Sequence, residues 1–170
     1  MSSLEDIVDA KVQAAVTRRL DALAPTIVSI RQEMNGRGCL PSSMTVTKIY
    51  DASILLFDEI RDDMKAEYGV VLDNVFWPTE SLGDLLISKA RCYFDTVTDR
   101  AQGEIRIATQ SLMNSGTHKQ LCNDVTIARD RELTDLSLFI DGHSKIQVRK
   151  KIVRAIGYLP KLILSLIKPK

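Results

Sequence analysis

Cysteine is scarce in this sequence, and its pattern excludes the usual disulfide and zinc frameworks. Cys39, Cys92 and Cys122 are odd in number and widely spaced, and no C-x-x-C occurs. That usage fits a reducing, cytoplasmic setting. Aromatics make up 5% of the residues, and Gly and Pro number 8 and 5. So few turn formers and ring side chains argue against a sandwich of short strands. Only two histidines occur, His118 and His143. Ser115 and Ile140 stand three places before them, so the E-x-x-H of di-iron bundles is missing. Glycine-rich phosphate loops, G-x-S-x-G and H-E-x-x-H are missing too. The opening Met1 to Asp6 lacks the basic and apolar runs of a secretory leader. No cofactor is expected.

Apolar residues at 45% and charged residues at 26% of 170 mark a globular chain, long enough for one domain with its own core. The net charge of +1 conceals a division. Past Asp141 no acidic residue remains, while Lys145, Arg149, Lys150, Lys151, Arg154, Lys161, Lys168 and Lys170 give that stretch a balance of +8. Residues 1–141 therefore read as an acidic helical body, and 142–170 as a basic C-terminal helix and apolar tail packed on the same domain.

Apolar periodicity predicts an all-α, antiparallel bundle of about five helices: 3–34, 43–68, 80–114, 118–140 and 144–159. In the first, Val16, Leu20, Leu23, Ile27, Ile30 and Met34 alternate steps of four and three, an a/d seam. Leu4, Val8 and Val12 precede it at steps of four, and Pro25 is expected to kink the helix. The second buries Val46, Ile49, Leu56, Phe57, Ile60 and Met64 and turns Asp51, Asp58, Asp62 and Lys65 outward, with Gly69 as its stop. The link 70–78 is expected to lay Trp77 over the bundle. The third, capped by Thr79 and weakened by Gly83 and Gly103, steps through Leu82, Leu86, Ala90, Tyr93, Val97, Ala101, Ile105, Ala108 and Leu112. A solvated stretch is expected at Arg129 to Glu132, and a stop at Asp141-Gly142. Pro160 interrupts the chain just after the fifth helix.

The residues support three functional readings. The leading one is a non-enzymatic helical interaction protein: an adaptor, a regulatory module or a self-associating one. Its candidate binding residues are Lys145, Arg149, Lys150, Lys151, Arg154 and Lys161, for an acidic partner or an anionic membrane surface. The a/d seam of the first helix would serve a homodimer. The bland alternative for the basic segment is that its apolar side closes the bundle. The second reading is a metal-dependent helical hydrolase on Asp58, Glu59, Asp62, Glu132 and Asp135, since oxygens one turn apart suit a hard cation such as Mg²⁺. That spacing alone resembles the carboxylates of all-helical nucleoside-triphosphate pyrophosphohydrolases; its alternative is a solvated helix face. The third is nucleic-acid binding through Arg149 to Arg154, ranked last because no aromatics interleave with the basic residues. His118 and Cys122, one turn apart, would need Cys39 or Cys92 to complete a metal site.

Overall fold

The computed structural model describes residues 4–40, 42–75, 80–110 and 115–166, with side chains for 6–40, 42–75, 80–110 and 116–153. Four helices account for nearly all of them: α1 Leu4–Gly36, α2 Ser43–Asn74, α3 Glu80–Gln110 and α4 Ser115–Leu166. The chain is thus an all-helical bundle of four helices among the described residues rather than five. Trp77, Thr79 and Leu112, to which the sequence assigns roles, lie outside the described residues.

Local chemistry sets the helix ends. Gly38 takes φ +67°, and Cys39 N–H donates to Met34 O at 2.9 Å while Gly38 N–H donates to Asn35 O at 2.9 Å. These two bonds close α1 as a Schellman cap, which needs a left-handed residue that glycine supplies without strain. Ser42 then caps α2, its hydroxyl accepting from Thr45 N–H at 3.3 Å. α1 runs unbroken through Pro25.

Three expected stops are helix interior, the last of them Pro160, which α4 passes on its way to Leu166 instead of ending at 159. α2 continues five residues past Gly69, because Val71 and Leu72 are fully buried and their burial outweighs the ~1 kcal/mol that a mid-helix glycine costs. Gly142 likewise lies inside α4, so the fourth and fifth expected helices are one rod of 52 residues. Ile140 and Gln147, on either side of Gly142, are both buried, and this packing holds the helix across it. The expected solvated stretch at Arg129 to Glu132 also fails at its end, where Glu132 is 0% exposed.

Cross-helix pairs give the topology. Arg19 with Asp63, and Lys48 with Glu33, set α1 antiparallel to α2. Gln102 with Cys122, and Arg129 with Asp95, set α3 antiparallel to α4. Lys65 with Asp135, and His143 with Asp73, set α2 parallel to α4. Lys89 with Asp9, and Arg31 with Glu104, set α1 parallel to α3. The bundle is therefore antiparallel between chain neighbours and parallel across two of its faces. α2 and α3 lie on the short diagonal, where Phe57 and Phe94 stack with centroids 5.9 Å apart. The first-helix seam is spent here: Val16, Leu23, Ile27 and Met34 are at most 4% exposed within the chain's own core, with Leu20 and Ile30 packed against it. The sequence argument for a homodimer through α1 loses its basis.

Gly142 tests the continuity of α4. A Cβ there meets nothing within 4 Å. Gly142→Ala is therefore expected to stabilise by ~1 kcal/mol, raising the melting temperature by about 2–4 °C. A drop in melting temperature would mean a turn at this position.

Candidate functional site

The candidate carboxylates lie on α2 and α4, and the parallel register of those helices brings four of the five together. They meet around a guanidinium. Arg61 pairs with Asp58 at 3.4 Å, with Asp62 at 2.9 Å, with Asp135 at 3.5 Å and closely with Glu132. Arg131 reaches Glu132 at 2.5 Å and Asp58 at 3.4 Å, and Lys65 reaches Asp135 at 2.6 Å. Glu59, the fifth, turns to Arg19 on α1 at 3.0 Å. Asp63, one turn along α2 from Glu59, binds the same arginine at 2.9 Å. Sequence spacing thus identified carboxylates that converge, but it could not show the cations at their centre.

The electrostatics reflect this geometry. The Glu132 side chain is 1% exposed, which is tolerable for a carboxylate because two guanidinium groups replace its water. Hydrogen bonding to Asp62, and then the charge of Glu132, hold Arg61 above its ordinary pKa against the opposing effect of burial. The hydrogen bond from Lys65 holds Asp135 below its ordinary value. Among the described residues, no group of three or more His, Cys, Asp or Glu side chains is arranged to hold a metal ion.

His118 and Cys122 do meet, with 3.7 Å from Sγ to either ring nitrogen, and Thr109 Oγ1 lies 3.3 Å from His118 Nδ1. Burial pushes the Cys122 thiol up, against what a thiolate nucleophile or metal ligand requires. Cys92 is exposed, and Cys39 donates to Arg37 O at the α1 cap.

The basic candidates divide. Lys145 is tied to Asp141 at 2.6 Å, one turn back. Lys151 donates to Val75 O at the end of α2. Arg149 and Lys150 are exposed and make no ion pair among the described residues. Arg154 and Lys161 lie on the helical main chain of α4, and their side chains lie outside the described ones.

Sequence reasoning missed two features here. The first is a groove of about 780 Å³ between the start of α3 and the middle of α4. Gly83, Ile87, Ile140, Ile146 and Val148 give it an apolar floor, with Glu80 and Asp84 on one rim and Arg149 on the other. By propensity Gly83 is only a weak point in its helix, yet Ile140 comes within 3.6 Å of where its Cβ would sit. The second is the length of α4. Asn74 ends α2 and Glu80 begins α3 at the same end of the bundle, level with α4 near His143 to Lys151. α4 then continues to Leu166, about 22 Å further at 1.5 Å per residue. No helix among the described residues is long and apolar enough to cross a membrane.

The arginine-filled cluster yields two expectations. Glu132→Ala opens a gap in the core beside Arg61 and Arg131, which keep Asp58, Asp62 and Asp135 as partners, so urea denaturation should show a loss of about 1–3 kcal/mol; a loss within about 0.5 kcal/mol, the range of an ordinary surface change, would deny the pair its place in the core. Asp135 binds its proton below its ordinary pKa in the folded chain, so its contribution is complete above about pH 4 and fades as pH falls below that. The melting temperature should therefore fall less steeply below pH 4 in Asp135→Asn than in the parent, and equal slopes would refute the assignment.

Comparison of the chain with protein-family models, with curated proteins and with solved structures finds no match, so the functional reading rests on geometry.

Proposed function

We propose that this protein is a non-enzymatic helical interaction module whose docking element is the C-terminal arm of α4, residues 152–166. The observation that supports this is that α4 outruns the helices it packs against by about four turns. The sequence of that arm holds Arg154, Lys161 and many aliphatic residues and no acidic one. At its base Ile152 is 43% exposed and Val153 69%, with Arg149 and Lys150 beside them. A helix whose sequence is apolar and cationic and which runs past the ends of α2 and α3 suits a surface that is acidic at its edges and apolar at its centre.

An acidic protein surface is the target this favours over a lipid headgroup layer or nucleic acid. A protein surface can offer apolar contacts at its centre and carboxylates at its edges together, which suits the mix of aliphatic and basic residues in the arm's sequence. The hydrolase reading finds less support. Its carboxylates are neutralised by Arg61, Lys65 and Arg131, and a metal would have to displace all three.

The double substitution Ile152→Asp with Val153→Asp alters exposed positions and should leave the circular dichroism and melting temperature of the full chain intact. Association seen by sedimentation velocity at low salt should be lost in this variant. A parent chain that neither associates with protein nor floats with anionic phosphatidylserine vesicles would sink the reading. Flotation that the substitutions abolish, without any protein association, would assign the arm to membranes instead.

A further inference from the structure

We draw no further inference here: the strongest candidate, the apolar groove between the start of α3 and the middle of α4, carries charges of both signs on its rims in Glu80, Asp84 and Arg149, and nothing in the structure shows what covers it.

Discussion

Glu132 has lost its water, and a carboxylate in that position is tolerable only where cations and hydrogen bonds take the solvent's place. Arg61 from α2 and Arg131 from α4 do so, and the requirement fixes how the two helices lie. A slip of one turn along α2 would take Arg61 out of reach and leave the buried carboxylate with Arg131 alone. The α2–α4 register then places Lys65 against Asp135, His143 and Gln147 against Asp73, and Lys151 against the carbonyl of Val75 at the end of α2. Hydrophobic burial drives the helices together, but apolar side chains alone tolerate sliding. The buried carboxylate is what allows one alignment and penalises the rest.

That alignment also decides where α4 runs past the end of α2. With α2 ending at Asn74, parallel pairing at a fixed offset exhausts the available partner near Lys151. The arm is thus a consequence of register as much as of length. The groove has the same origin. α3 starts at Glu80, and Gly83, with no side chain, lets Ile140 of α4 come close at the bottom of the groove.

Much of the fold was legible because burial follows helical period. Val16, Leu23 and Ile27, or Leu82, Leu86 and Ala90, recur at steps that put them on one side of a rod, and they are the residues the core contains. What was not legible has a common cause. Glycine marks a stop only where its backbone is left-handed. Gly38 meets that condition, whereas Gly69 and Gly142 sit in helices held by Val71, Leu72, Ile140 and Gln147. The burial of Glu132 depends on Arg61, 71 residues earlier, as well as on its neighbour Arg131, so its own neighbourhood held only half of the pairing. The convergence of Asp58, Asp62 and Asp135 was foreshadowed by spacing. The guanidinium among them belongs to Arg61, on the same helix as two of them, where its own neighbours give it the look of ordinary surface charge. The basic character of the C-terminus was plain, yet the distance by which α4 runs past α2 and α3 became visible only once the ends of those helices were placed.

Because α4 has no joint between Leu136 in the core and the start of the arm, rotation is transmitted along it without loss. Each residue of an α-helix advances the azimuth by about 100°. Inserting or deleting a single residue near Gly142 would therefore swing every side chain of the arm around the axis by that angle, while a flexible linker would absorb the change. The direction in which the arm presents itself is thus set by the phase of the core helix.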